Sequence, residues 1–503
     1  MGRFPDRGGR PCQLIGEAAL TDTQREIDLE NGLYIAGQFC DAADAGRFEV
    51  IDPATEEPLT SVANATAADG RRAVDAAADA LPAWSALAPR VRGEILRRAF
   101  DLIVAHQEQL ATLITRENGK ALPDSRSEVA YAAEFFRWYA EEAVRNLGQV
   151  SRAPSSGARI LVQHKPAGVS VLITPWNFPA AMGTRKIAPA LAAGCTVVVK
   201  PASETPLTML ALAPLLEEAG VPKGVVNFLP SRHSGLLVGA MLEDPRVRVV
   251  SFTGSTETGR RLLRAAANTV VNPRMELGGN APFIIFEDAN LDEAVAGAMV
   301  AKMRNMGEAC TAANRFYAHE DVHDAFVERL AKEMSSLKVG NGLEPGVTVG
   351  PLVNAATRDK VQNLVEDARL RGAKVITGGM RLPGPGYFYA PTVLADVPEG
   401  ALCLREEIFG PVAPVQRFRS ESEVIARANA TEYGLVAYVY TRNLSRGLAV
   451  CERLESGMVG LNRGLVSDPA APFGGVKQSG LGREGAHDGL MEFLETQYIS
   501  VAW

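Results

Sequence analysis

The stretch VRVVSFTGSTETGRRLL, residues 247–263, runs through β-branched and aromatic residues to Thr253, turns at Gly254 and continues as a helix-like segment. A short apolar strand feeding a glycine turn and then a helix is half of a βαβ unit in a parallel sheet. The turn leaves free backbone N–H groups at a helix N-terminus over 254–259, a setting suited to a pyrophosphate. It matches neither G-x-G-x-x-G nor a P-loop, because Arg260 and Arg261 stand where the P-loop needs Lys and Ser/Thr. Taken alone, the segment is also compatible with a purely structural turn.

The same alternation extends in both directions. GVSVLITPWNFP (168–179), CTVVVKP (195–201) and VVNFLP (225–230) are short apolar runs spaced by helix-like segments near 183–193, 205–220 and 235–242. A second series begins at APFIIFED (281–288) and continues through AKVITGG (373–379) and VAYVYTRN (436–443), with helix-like segments at 291–306, 322–337 and 356–371. Two α/β units with doubly wound parallel sheets are therefore expected. Ahead of them, a short hairpin near 33–51 and helices over 67–81, 92–115 and 126–145 read as packing support.

A chain of 503 residues exceeds one ordinary hydrophobic core, so two or more domains are expected, with interior enough for a cleft. The formal charge of -7 offers no broad basic face and argues against nucleic acid. The start, MGRFPDRGGRPCQLIG, has no continuous apolar region, and no stretch approaches the roughly 18 apolar residues of a membrane span. A soluble, cytoplasmic protein without a membrane partner is expected. The six cysteines (Cys12, Cys40, Cys195, Cys310, Cys403, Cys451) form no CxxC pair and no cluster at metal-ligand spacing, so neither a disulfide framework nor a metal site is expected.

Four residues stand in chemically suggestive places. Cys310, in RNMGEACTAANRFY (304–317), has small neighbours that let another molecule approach, as a carbonyl-attacking thiolate needs, although a solitary cysteine is also a common core residue. Glu276, in MELGGNAPFII, enters the strand that opens the second α/β unit; an apolar setting raises a carboxyl pKa towards that of a general base, whereas the following glycine amides would satisfy it. Asn177 ends a strand in ITPWNFP, where its amide can donate to an oxyanion or simply shape a turn. Lys200 lies at the C-terminal end of a strand, where ligands of open α/β sheets collect, or is a solvated lysine.

Seven motifs in order, TPWNFP, VVVKPASETP, FTGSTETG, MELGGN, the GEAC segment, EEIFGPV and PFGGVKQSGLGREG, resemble those of the NAD(P)-dependent aldehyde dehydrogenase superfamily across nearly the whole chain. Glu276 and Cys310 are separated by the 34 positions typical of that family. The resemblance implies that Cys310 attacks the aldehyde to give a thiohemiacetal, with Asn177 and the Cys310 N–H holding the oxyanion. Oxidation leaves a thioester, hydrolysed by water that Glu276 activates. It further implies that Thr174, Pro175, Trp176, Gly254, Ser255, Leu277, Glu407 and Phe409 hold the cofactor, with Trp176 packed beneath the cofactor turn. Lys200 and Ser203 bear on the choice between NADP and NAD: NAD-preferring relatives often carry a glutamate at the Ser203 position, so NADP is favoured and NAD is possible, while Glu204 would repel a 2′-phosphate.

Arg185 and Arg304 match the pair that clamps the substrate carboxylate in succinate-semialdehyde dehydrogenases; either alone would fit a structural ion pair. Ser467 and Phe473 complete the implied substrate site, although Arg463 stands where that subfamily often has glutamate. Ala312 replaces the subfamily's frequent second cysteine, so no disulfide switch is expected. The expected activity is oxidation of succinate semialdehyde. Glutarate or 2-oxoglutarate semialdehyde, or an aromatic aldehyde, are alternatives; a CoA-acylating enzyme is disfavoured by Glu276, and a catalytically silent structural or binding protein by the three intact catalytic residues.

The implied fold is that of the aldehyde dehydrogenases: a Rossmann-like cofactor domain (1–143 and 167–278), an α/β catalytic domain (279–478) and a small β oligomerisation flap (144–166 and 487–503). The terminal run TQYISVAW is apolar and β-prone, so pairing with another subunit in a homodimer or homotetramer is expected.

Overall fold

Parallel strands buried on both faces organise the protein, for which a computed structural model describes residues 30–502. Val169–Ile173, Thr196–Lys200, Ala281–Ile285 and Val436–Tyr440 are buried along their whole length, which explains why they read as continuous rather than alternating apolar runs.

The first sheet has eight strands in the spatial order Gly480–Leu481, Asn272–Glu276, Val247–Thr253, Val169–Ile173, Thr196–Lys200, Val226–Phe228, Leu33–Ile35 and Gln38–Cys40. Its five central strands are mutually parallel, and antiparallel strands close both edges. The second sheet has seven strands, from Lys374–Thr377 through Thr392–Ala395, Val412–Phe418, Ala313–His319, Ala281–Ile285 and Val436–Tyr440 to Met458–Leu461; only Lys374–Thr377 is antiparallel. A third, antiparallel sheet joins Leu494–Val501, Arg159–Pro166 and Gln149–Arg152. None of the helices in the described residues is long and apolar enough to cross a membrane, and the five described cysteines are free. Cys12, Trp503 and the remaining terminal residues of the expected first domain and flap lie outside the described residues.

Three local expectations are corrected. The 92–115 segment is two helices, Pro89–Ala105 and Gln107–Asn118, because His106 between them leaves helical geometry (φ -102°, ψ 20°) with its ring against the Leu102 carbonyl at 2.8 Å. The 33–51 segment is not one hairpin. Leu33–Ile35 and Gln38–Cys40 turn through Ala36 and Gly37, both at positive φ, whereas Arg47–Ile51 pairs with Pro58–Ala63. Glu276 closes the last parallel strand of the first sheet rather than entering the first strand of the second, so residues 277–280 are the crossing between sheets.

Helix ends are tied to distant side chains. Buried Glu117 accepts from the Leu207 and Thr208 amides at 2.8 and 2.9 Å, satisfying orphan donors at the start of Leu207–Ala219. Buried Lys120 pairs with Glu128 and donates to the Asn177 carbonyl at 2.7 Å, fixing the loop after the strand Val169–Ile173.

Candidate active site

Strand ends from the first sheet and the loop entering the second meet at a cavity of about 230 Å³ lined by Pro175, Trp176, Asn177, Gly254, Ser255, Leu277, Cys310, Glu407 and Phe409 among others. Nine of the residues singled out from the sequence thus share one space. Close approach of backbones builds it: a side chain on Gly279 would put its Cβ 2.5 Å from the Cys310 carbonyl oxygen, so only glycine fits.

Cys310 follows a strained turn. The helix Leu291–Met303 stops before Arg304, and Asn305, Met306 and Gly307 are all left-handed at φ 50°, 55° and 79°. Side-chain bonds compensate: the Asn305 amide donates to the Asn177 carbonyl at 2.7 Å and the Glu308 carbonyl at 3.1 Å, and the Asn305 backbone N–H donates to Asp124 at 2.9 Å. The Cys310 loop and the Asn177 loop are thereby locked together.

Asn177 donates one amide hydrogen to the Glu308 carbonyl at 2.9 Å and retains a second. Burial pushes the Cys310 thiol up to about 12, against the pull of the Arg185 and Arg304 cations, with Glu407 and Glu276 adding to the rise. Cys310 therefore rests as a thiol. Glu276 is buried, and neither carboxylate oxygen has a hydrogen-bond partner; the neighbouring glycine amides do not satisfy it. Burial first, and then the charge of Glu484, hold its pKa well above the ordinary carboxyl value, although Arg185, Lys186 and Arg483 pull it down.

Glu484, inside the GREG motif, also joins the site, although its residue type and spacing did not single it out in the sequence. It pairs with both Arg185 and Lys186. Phe473, bonded to Glu484 through two backbone hydrogen bonds of 2.7 and 2.8 Å, lies 4.2 Å beneath the Arg185 guanidinium. Arg185 is therefore in a structural ion pair as well as near Cys310. Arg304 differs: its guanidinium lies 4.8 Å from the Phe178 ring centre and 5.8 Å from that of Tyr131, and no carboxylate pairs with it among the described residues. Like Arg185, Arg304 and Phe473, Ser467 does not line the cavity; it is half-buried, and its neighbour Asp468 faces an outer groove beside Arg97 and Arg137.

The remaining expected cofactor residues divide between two places. Ser255 caps the helix Thr256–Ala267 by accepting from the Thr258 amide at 3.3 Å, and the Thr253 hydroxyl is buried without a partner. Trp176 meets Phe409 edge to face at 5.3 Å, and burial lifts Glu407 to about 7. Thr174 donates its backbone N–H to the Lys200 carbonyl at 3.1 Å. Lys200 is buried rather than solvated, and burial lowers its pKa to about 8 against the pull of Glu204. Ser203 lies away from the main cavity, in a separate groove with Glu204 and Arg232, and donates to Glu204 at 3.1 Å. Among the described residues no three or more His, Cys, Asp or Glu gather in an arrangement that would hold a metal.

Similarity to known proteins agrees with this geometry. The chain is 55% identical over 444 residues to the succinate-semialdehyde dehydrogenase of Paenarthrobacter nicotinovorans, covering 88% of this chain and 99% of that protein. It is 50% identical over 466 residues to the glutarate-semialdehyde dehydrogenase of Pseudomonas aeruginosa, covering 93% and 96%. The crystal structure of an NADP-dependent enzyme of E. coli superposes with a TM-score of 0.94 at 47% identity, covering 96% of this chain and all of that one. With the model of the aldehyde dehydrogenase family matched over residues 39–499, the chain belongs to that family.

Proposed function

We propose that the protein oxidises a short ω-carboxy aldehyde, succinate semialdehyde foremost, to the carboxylic acid with NADP, or alternatively NAD, as acceptor. The observation that carries the substrate reading is the placement of two guanidinium groups, Arg185 and Arg304, within electrostatic reach of the Cys310 sulfur. A carboxylate held there would orient the aldehyde carbon for attack. The relatives' names favour the same class, and a glutarate-semialdehyde dehydrogenase among them makes the chain longer by one methylene the second reading.

The residues fit a nicotinamide dinucleotide. The partnerless Thr253 hydroxyl, the amides after Gly254 and the helix N-terminus at Ser255 suit its pyrophosphate, and Trp176, Glu407 and Phe409 line the cavity leading to Cys310. When bound, the nicotinamide supplies the hydride acceptor. Lys200 and Ser203 would receive a 2′-phosphate, for which the Ser203 hydroxyl must turn from Glu204. The name of the E. coli enzyme supports NADP.

Cys310 Sγ gives up its proton to solvent and forms a bond to the aldehyde carbon; the carbonyl oxygen takes the electron pair and is held by the free hydrogen of Asn177 Nδ2 and the Cys310 N–H. After oxidation the acyl group remains on Sγ as a thioester. Glu276, desolvated and without a competing hydrogen bond, takes a proton from the water that attacks this thioester, releasing the acid and restoring the thiol.

The sheet arrangement supports the expected division into a cofactor domain (1–143 and 167–278), a catalytic domain (279–478) and a flap (144–166 and 487–503), although Gly480–Leu481 joins the first sheet. The exposed third sheet supports assembly as a homodimer or homotetramer. The reading as a cytoplasmic enzyme rests on composition.

Initial rates against succinate semialdehyde and uncharged butanal, each with NADP and with NAD, test the proposal. A large preference for the carboxylated aldehyde is expected; equal rates would make both arginines structural and overturn the substrate reading.

A further inference from the structure

The carboxylate site has a third candidate donor that neither the motifs nor the relatives' names assign. Tyr131 lies on the helix Leu122–Glu142, its ring held edge-on against Phe135 at 4.9 Å. One face of that ring receives the Arg304 guanidinium at 5.8 Å. Its hydroxyl oxygen is buried and faces the Arg185 guanidinium, a donor that leaves the phenol hydrogen without an acceptor, and Arg304 is also within electrostatic reach.

A buried phenol hydrogen without an acceptor carries a desolvation cost that phenylalanine would avoid if packing alone mattered here. Burial raises the Tyr131 pKa while the two cations oppose that rise, so near neutrality the group is a neutral O–H. Such a donor beside two guanidinium groups lacks one thing, an anionic acceptor. The two arginines leave room for this role: Arg185 is engaged by Glu484, and Arg304 is supported by ring faces. Ser467 is half-buried and stands beside Asp468, which faces an outer groove.

We propose that Tyr131 is a specificity-determining residue whose hydroxyl donates a hydrogen bond to the terminal carboxylate held by Arg185 and Arg304. The inference rests on the ω-carboxy aldehyde reading. It assigns to Tyr131 the hydroxyl contribution expected of Ser467.

The test is Tyr131→Phe in the full-length enzyme, which keeps the ring, its contact with Phe135 and the face presented to Arg304. With NADP, kcat/KM for succinate semialdehyde should fall about tenfold or more, mainly through KM, as expected for losing a hydrogen bond to a charged group. Butanal, which has no carboxylate, should be turned over at the wild-type rate and so reports that the fold is intact. Succinate should weaken as a competitive inhibitor by a similar factor. An equal loss for both aldehydes would show a merely structural role and overturn the inference. So would unchanged kinetics in the variant when the wild type prefers the carboxylated aldehyde and Arg304→Gln abolishes that preference. If the wild type shows no such preference, the functional reading itself fails, and this inference with it.

Discussion

At the residue scale, the two partnerless oxygens of Glu276 carry a desolvation cost that the proposed role as general base would explain. Burial and Glu484 hold the proton on Glu276 at pH values where an ordinary carboxyl is ionised. A general base must be deprotonated, so the sign follows. As pH falls through the raised pKa, the carboxylate is lost and kcat for thioester hydrolysis should fall, well above the pH at which a free glutamate titrates. The pH profile of kcat should show that limb. Glu276→Gln should remove the limb and slow steady turnover by roughly a hundredfold or more, while a first-turnover burst of reduced nicotinamide persists. A variant with undiminished turnover would contradict the assignment. Cys310 behaves oppositely in range: with its thiol near 12, the thiolate fraction keeps rising through the accessible pH, and kcat/KM should rise with it if attack limits that parameter.

Short side-chain ties between elements hold the loops that a scheme of strands and helices leaves loose. Glu117, near the end of Gln107–Asn118, stands where the helix Leu207–Ala219 needs acceptors for its first amides. Glu117→Ala would leave those buried N–H groups unpaired and should destabilise the protein by about 2–3 kcal/mol, the combined range for a lost cap and an unsatisfied buried donor. A lowered denaturant midpoint at unchanged slope is the readout; an unchanged midpoint would show that water replaces the carboxylate. The turn before Cys310 follows the same logic. Its left-handed residues persist because Asn305 is bonded on three sides, which places Cys310 relative to Asn177 without any regular element.

At the scale of the whole molecule, the third sheet is the feature a monomer does not explain. Leu494–Val501 pairs with Arg159–Pro166 over eight positions, yet nearly all of it is exposed, and the outer strand Gln149–Arg152 is exposed throughout. Val150 and Tyr498 are more than half exposed, at 72% and 58%. An open edge with apolar side chains invites pairing, and a second copy of the chain is the partner that makes it an asset. Light scattering after gel filtration should therefore show an oligomer for the native protein, and Val150→Lys with Tyr498→Lys should shift it to a smaller species while butanal turnover survives. An oligomer unaffected by both substitutions would move the interface elsewhere.

Much of this molecule was legible in its residues. Apolar runs of five, glycine turns and helix-like spacing identified the two parallel sheets, because burial on both faces imposes an unbroken apolar pattern. The order of the seven motifs brought out Cys310, Glu276 and Asn177 because their chemical groups are written in the chain. Distance and desolvation are not written there. Only the tertiary structure showed that Glu276 ends one sheet instead of opening the next, that Arg185 is shared with Glu484, and that Ser203 donates to Glu204. It alone set the Tyr131 hydroxyl, far from Arg185 and Arg304 in sequence, near both cations with its hydrogen lacking an acceptor. Such facts depend on which groups share a dry volume after the chain has closed, and residue order specifies that volume only through the packing of the whole.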